Sequence, residues 1–243
     1  MRPRIRLPIL MYHAVDRMPP GARSPRNYVP PGDFGAQLEL VASLGYQTIS
    51  FTEWLEYREH GHPIPARPII LTFDDGYRSV WEHAWPLLRQ FGFSATVFLI
   101  SSLIGKTNAW DNPGTAAEPL LAASEITTMR DAGIQFESHS HTHPALTTLA
   151  PERVLADLRT SRAELERLLG LPVSVLCYPY GKQNATVRAL ARDAGFQAGV
   201  IARRRMNSVR TDPFRLTRIS IDYRMTISRL RWTLMRLRWL HYV

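Results

Sequence analysis

A parallel α/β fold, either an open sheet or a barrel, is predicted from three observations. Six short apolar runs rich in Ile, Val and Phe alternate with segments of helical periodicity. Five of the helical segments stop at a glycine. No interior stretch rich in Ser, Gly or Pro divides the chain. Strands covered on both faces read as continuous apolar runs, helices commonly close on a left-handed glycine, and strand–helix alternation is the signature of parallel strands. The 243 residues allow one large domain or two small ones, and the missing linker favours one. A hydrophobic content of 45% excludes disordered and collagen-like chains, and a chain of this length buries a core without covalent staples.

In chain order, the first strand is expected over 5–15, with Tyr12 and His13 towards its end. A loop carrying Pro19, Pro20, Pro25, Pro30 and Pro31 leads to a helix over 33–44, with Asp33 as N-cap and Gly45 as its stop. A strand over 67–73 is followed by a helix over 79–91 closing at Gly92, then by a strand over 94–99. A second long loop, 106–119, precedes a helix over 124–132 that starts at Ser124 and ends at Gly133; long loops in compact domains tend to be functional. The strand over 133–137 leads to a helix over 151–169, with Pro151 in its first turn and Gly170 at its end. The strands over 173–177 and 196–201 flank a helix over 184–194 that closes at Gly195.

Thirty basic residues face 21 acidic ones, a net charge of +9, and only Lys106 and Lys182 are lysines. Residues 1–202 balance 19 against 19, whereas 203–243 hold 11 Arg against Asp212 and Asp222. The excess therefore belongs to the end of the chain, and residues 1–202 are no basic nucleic-acid surface. The run Arg229-Leu230-Arg231-Trp232 recurs seven residues later as Arg236-Leu237-Arg238-Trp239, which on a helix gives two opposed Arg stripes and no clean apolar face. Residues 226–243 are read as an Arg-rich tail or terminal helix. A helix packed on the domain with solvated arginines is one expectation, and peripheral contact with an anionic membrane is another. No nucleic-acid motif accompanies the charge, so no nucleic-acid partner is expected. The single cysteine, Cys177, excludes an intramolecular disulfide framework and a Cys-rich zinc site. The basic start is followed by an apolar stretch that is short, broken by Pro8 and without a small-residue cleavage site, so no signal peptide is recognised. No run approaches the ~20 apolar residues of a membrane span, and the sequence as written reads as cytoplasmic.

Four constellations carry chemistry. Asp74 and Asp75 follow an apolar strand in Leu71-Thr72-Phe73-Asp74-Asp75-Gly76-Tyr77. Adjacent carboxylates repel and are costly near a core. Neighbouring strand residues face opposite ways, so both serve one site only if the chain turns there, as Gly76 permits. A helix N-cap with a spare acid is the plain alternative. The run Glu137-Ser138-His139-Ser140-His141-Thr142-His143-Pro144 offers three imidazoles, the commonest neutral metal ligands. Strand geometry puts all three on one face and a helical turn pairs His139 with His143, so both geometries pair those two; an exposed polar loop is the alternative. Two His with one carboxylate, leaving a position open for water, describe a catalytic metal site. Tyr178-Pro179-Tyr180-Gly181 is alone no more than a turn, and His13 alone reads as a core or rim histidine.

Together, Thr72–Tyr77, His139–Pro144 and Tyr178–Gly181 come in the order and spacing of the polysaccharide deacetylases, the NodB-homology fold of the family-four carbohydrate esterases. The likeness spans about residues 8–222, with Ala95–Phe98, Trp110, Asp111 and Leu146–Leu149 as supporting flanks. The start Leu10–Val15 and the Tyr-Pro-Tyr-Gly form look most like the branch that deacetylates poly-N-acetylglucosamine. The resemblance implies a deformed (β/α)7-type barrel over 1–225 that holds a divalent metal, usually Zn2+, with Co2+, Ni2+ or Mn2+ as alternatives. It implies Asp75, His139 and His143 as metal ligands and Asp74 as general base. Tyr180 is implied as oxyanion donor through its backbone N–H, with Tyr178 and Trp110 beside the substrate. Many members carry an Arg where this chain has Cys177, and many supply the acid from a late His. The one late His here is His241; in the biofilm branch an N-terminal Tyr-His supplies the acid, and His13 matches it. The implied reaction releases acetate from N-acetylated amino sugars of a poly- or oligosaccharide. Hydrolysis of acetylxylan or a small amide, and an inactive glycan-binding homologue, are the alternatives.

Overall fold

Each of the six apolar runs becomes a strand, and the glycine stops fix where the chain reverses between them. The computed structural model describes residues 5–110, 117–203 and 205–239. The chain runs β1 (Ile9–Tyr12), α1 (Pro31–Ser43), β2 (Gln47–Thr48), α2 (Phe51–Glu59) and β3 (Pro68–Phe73). A π-helical turn over Val80–Ala84 enters α3 (Trp85–Gln90), followed by β4 (Thr96–Leu99), α4 (Ala123–Asp131), β5 (Gln135–Ser138) and α5 (Pro151–Leu169). Then come β6 (Val175–Cys177), α6 (Ala185–Asp193), β7 (Ala198–Ile201), β8 (Leu216–Thr217), β9 (Ile219–Ser220) and α7 (Ile227–Trp239). Gly45, Gly92, Gly133, Gly170 and Gly195 all have φ between +63° and +93°, the left-handed geometry that stops a helix.

The strands pair in parallel in the order β8-β7-β6-β5-β4-β3-β1-β9. β8 and β9 are one extended segment interrupted at Arg218. Its first half pairs with β7 and its second half with β1, so this segment brings the ring to near closure. The result is a near-closed barrel of parallel strands, deformed where β2 takes β3's entry at Pro68 and Ile69 and leaves β4 to pair with Thr72 and Phe73. Side chains alternate across the wall as pleating requires. Ile70, Phe98, Val175, Ala198 and Val200 face inwards, while Leu71, Val97, Leu176 and Ile201 pack under the outer helices.

Three features differ from the sequence expectation. The short helix α2 was not anticipated. Ser50 and Glu53 cap it reciprocally, a legible capping box, and it packs Phe51, Trp54, Leu55 and Tyr57 with the inward-facing strand residues. The closing segment has no apolar run, because Arg218 stands in its middle. Asp33 is not the cap of α1. That helix starts at Pro31, whose fixed φ suits the first position, and Asp33 lies in its first turn, where the helix dipole favours a carboxylate.

The terminal helix α7 has a sharper inner face than its Arg repeat suggests. Leu230, Thr233 and Leu234 are buried, α7 lies on α1, and the Leu234 carbonyl accepts from Tyr46 Oη at 3.4 Å. No described helix is long and apolar enough to cross a membrane.

Glu137 ties β5 to β6 where the ladder is thinnest, at the single pair Ser138–Leu176. Its Oε2 accepts the N–H groups of Ser174 at 2.8 Å and Val175 at 2.7 Å. Burial pushes its carboxyl up to about 8, against the pull of those two donors. A folded-state value above the unfolded 4.5 means that the native state holds the proton longer, so this group's contribution to stability falls as pH rises from about 5 to about 8. Glu137→Gln, which fixes the neutral form and keeps the acceptor, should flatten that part of the pH dependence in urea unfolding. Glu137→Ala should cost about 2 kcal/mol or more by stranding two N–H groups.

Candidate active site

Parallel strands bring their C-terminal ends to one face of a barrel, and the sequence motifs follow those ends. His13 comes just after β1, Asp74 and Asp75 after β3, His139 after β5, and Tyr178 and Tyr180 after β6. These residues line one cavity of about 170 Å3, together with Met11, Ser24, Asn27 and Ala202.

Backbone strain marks the same residues. Among the described residues, the four non-glycine positions with positive φ are Asp75 (69°), Ser140 (69°), His143 (59°) and Tyr180 (59°). Such conformations cost about 1–3 kcal/mol each and cluster where function holds them. They answer how two adjacent aspartates share a site. The ladder persists through Asp74, whose N–H donates to the Tyr12 carbonyl at 2.9 Å, and the turn begins at Asp75 itself. The histidine run adopts neither a strand nor a helix. Positive φ at Ser140 and His143 turns His139 and His143 together, with ring centroids 4.9 Å apart. His141 points away and meets Ser101 and Glu164.

The donor set fits a divalent ion. His139 Nδ1 donates to the Cys177 carbonyl at 2.8 Å, which leaves Nε2 turned towards Asp75. That nitrogen lies 3.2 Å from Asp75 Oδ1; burial opposes charge on the ring, but Cys177 and Asp75 raise its pKa well above the usual imidazole range. The two atoms need a cation against them, and a divalent ion would take the place of the proton that Nε2 otherwise holds. His143 Nε2 is 3.5 Å from the same oxygen. Ligands of a tetrahedral zinc ion, at about 2.0–2.1 Å from it, stand about 3.3 Å apart. Burial, then the neighbouring His139, pulls His143 down to about 4, which leaves it neutral with a lone pair to offer. Asp74, His139 and Cys177 form a second converging group, but the Asp74 carboxylate there is already engaged by a guanidinium.

That guanidinium belongs to Arg218, one of the arginines in the basic end of the sequence. Arg218 is fully buried. Its Nη1 and Nη2 grip the two oxygens of Asp74 at 2.6 and 2.7 Å, Nη1 also reaches Thr72 Oγ1 at 3.2 Å, and Nη2 reaches Cys177 Sγ at 3.1 Å. Cys177 occupies the position where the resemblance leads one to expect an Arg. Its small thiol leaves room for a guanidinium arriving from the closing segment instead. Burial alone would raise the Asp74 carboxyl; Arg218 more than reverses this and holds it well below the usual carboxylate range. The signal was present in the period-two pattern Leu216, Arg218, Ser220, which puts Arg218 on the inward face beside Leu216. The surrounding surface arginines masked it.

The other expected residues fall into two groups. His13 Nε2 lies 4.0 Å from Asp74 Oδ2 across the cavity. The His143 ring is flanked by Trp110 at 5.2 Å and by Tyr180 at 4.7 Å between centroids, with Tyr180 half exposed. The Tyr178 side chain, by contrast, is committed to packing: its ring is buried and its hydroxyl donates to the Phe214 carbonyl at 3.2 Å. A side chain larger than hydrogen at Gly199 would strike that ring. Asp111 and His241 lie outside the described residues. Ser24 and Asn27, which the sequence did not single out, come from the proline-bearing loop.

Comparison with known proteins agrees with this geometry. The chain is 28% identical over 195 residues to YxkH of Bacillus subtilis, covering 80% of this chain and 64% of that longer protein. It is 26% identical over 232 residues to the poly-β-1,6-N-acetyl-D-glucosamine N-deacetylase of Staphylococcus epidermidis, covering 88% and 78% of the two chains. The fold superposes on the Streptococcus pyogenes deacetylase PplD, solved in complex with acetate, with a TM-score of 0.82 and 26% identity over 95% of this chain and 99% of that one. The family pattern described as polysaccharide deacetylase matches residues 61–199, more than half of the sequence, and with the two carboxylates and paired histidines inside that span, the chain belongs to the polysaccharide deacetylase family.

Proposed function

We propose that this protein hydrolyses the N-acetyl group of N-acetylglucosamine units in a polysaccharide, releasing acetate and leaving a free amine, with a divalent ion as cofactor. The observation that carries the reading is the division of labour between neighbouring carboxylates. Asp75 faces two imidazoles, while Asp74 is held ionised by Arg218 and faces His13. The substrate named for the Staphylococcus epidermidis relative and the acetate bound to PplD support the same chemistry.

Asp75, His139 and His143 would hold the ion, and zinc suits this donor set. Such an ion, when bound, polarises an amide carbonyl and makes water acidic enough to lose a proton near neutral pH. Asp74 accepts that proton as water adds to the acetamide carbon, with Arg218 fixing the direction of its lone pairs. The developing oxyanion is met by the Tyr180 backbone N–H, and one such donor is worth about 2.7–4 kcal/mol in other hydrolases. His13, whose Nε2 lies 4.0 Å from Asp74, protonates the nitrogen as the C–N bond breaks; without that proton the amine is a very poor leaving group. Trp110 and Tyr180 flank His143 and offer faces for a sugar ring.

The outward face of α7 supports a second contact. Arg229, Arg231, Trp232, Met235 and Arg236 are exposed, Arg236 lies 4.8 Å from the Trp232 ring, and no acidic residue follows Asp222. Guanidinium groups interleaved with an indole suit the headgroup layer of an anionic membrane.

Chelation should abolish acetate release and zinc should restore it, with poly-N-acetylglucosamine or chitooligosaccharides turned over in preference to acetylxylan. The reverse preference would favour an esterase, and no release from any of these would favour a glycan-binding protein. Asp74→Asn should keep the metal and lose about 10²–10⁴-fold in kcat. His13→Ala should lose comparably on acetamides but much less on an activated aryl acetate, whose leaving group needs no proton. In sedimentation assays the protein should bind vesicles containing phosphatidylglycerol and not pure phosphatidylcholine, and the Arg229→Glu/Arg236→Glu double variant should not bind; equal sedimentation with both lipids would refute the membrane contact.

A further inference from the structure

The loop that presents His139 and His143 runs through two left-handed residues, and something must hold it there. One face of α5 does so. Asp157, Ser161 and Glu164, at i, i+4 and i+7, lie on one side of that helix and each reaches the loop or its anchor. Asp157 Oδ1 accepts the His141 N–H at 2.8 Å, and Oδ2 accepts the Thr142 N–H at 3.1 Å and the Thr142 hydroxyl at 2.7 Å. Ser161 Oγ pairs with Ser138 Oγ at 2.7 Å, and Ser138 Oγ accepts the Ser140 N–H at 3.1 Å. Ser101 Oγ donates to Glu164 Oε2 at 2.7 Å and lies 2.9 Å from His141 Nδ1. The chain of contacts ends at His143, whose N–H donates to Ser140 Oγ at 3.0 Å.

We infer that Asp157 is a positioning residue for the metal site. It touches neither substrate nor ion. It fixes the two peptide N–H groups that lie between the ligand histidines and so sets the spacing of their Nε2 atoms. A carboxylate suits the task because each oxygen takes a separate peptide N–H, one from His141 and one from Thr142. Ser161 secures the start of the same segment through Ser138, and Glu164 its middle through His141 and Ser101. The inference rests on Asp75, His139 and His143 being the metal ligands, and it extends that reading to a helix outside the cavity. Groups that orient ligands from behind typically change metal affinity by about 10–100-fold when removed.

The test is a zinc titration of metal-free protein in competition with a chromophoric chelator, with melting followed in parallel in the presence of excess chelator. Asp157→Ala should bind zinc about 10–100-fold more weakly. Asp157→Asn, which keeps one accepting oxygen and turns an NH2 group towards a donor, should fall between that variant and wild type. Glu152→Gln, which removes an exposed carboxylate from the first turn of the same helix, should leave the affinity unchanged. The rise in melting temperature on adding zinc should shrink in the same order. Wild-type zinc affinity in Asp157→Ala, or in Asp157→Asn should the alanine variant fail to fold, would overturn the inference, as would a drop in metal-free melting temperature with affinity intact. If wild-type protein bound no zinc under these conditions, the metal reading itself would fall and this inference with it.

Discussion

The buried ion pair between Arg218 and Asp74 is the constraint around which the rest of the structure is arranged. Removing two charges from water is costly, and only close bidentate geometry with the remaining donors satisfied offsets it. Here both carboxylate oxygens are gripped and Thr72 on β3 and Cys177 on β6 meet the two Nη groups, while the buried Nε has no hydrogen-bond partner among the described residues. The pair also has a topological consequence. Arg218 stands between the two halves of the segment that closes the barrel, so the site's electrostatics and the ring's closure depend on the same residue.

Once Asp74 is held this way, its neighbour is free for a different task. The chain turns left-handed at Asp75, and the carboxylate swings towards His139 and His143 instead of following its neighbour into the ion pair. The histidine loop is bent by the same kind of conformation at Ser140 and His143. Both bends are unfavourable in isolation and are sustained by neighbours: the continuing ladder at Asp74 on one side, the polar face of α5 on the other. The cavity is therefore built from strained backbone held by a relaxed barrel.

Much of this was legible in the sequence, and the exceptions have physical reasons. The six strands announced themselves because burial on both faces demands unbroken apolar runs, and the helix ends because left-handed closure favours glycine. The paired Asp and paired His stood out because such residues are costly beside a core. The closing segment was not legible because its inward position carries a charge, which periodicity reads as surface. Arg218 was hidden for the same reason among 11 arginines that follow residue 202. The family resemblance places such an Arg at position 177, where this chain holds a cysteine, but side chains from two different strands can fill one volume. The π-helical entry into α3 and the bend at Ser140 depend on tertiary contacts that no local pattern encodes.

On the proposed mechanism, Asp74 and Asp75 do separate work, and Arg218 serves only the former. Measuring bound metal and acetate release on the same preparation of Arg218→Gln tests it most directly. The expected result is undiminished metal content with turnover largely lost. Full turnover, or loss of the metal together with the turnover, would contradict it.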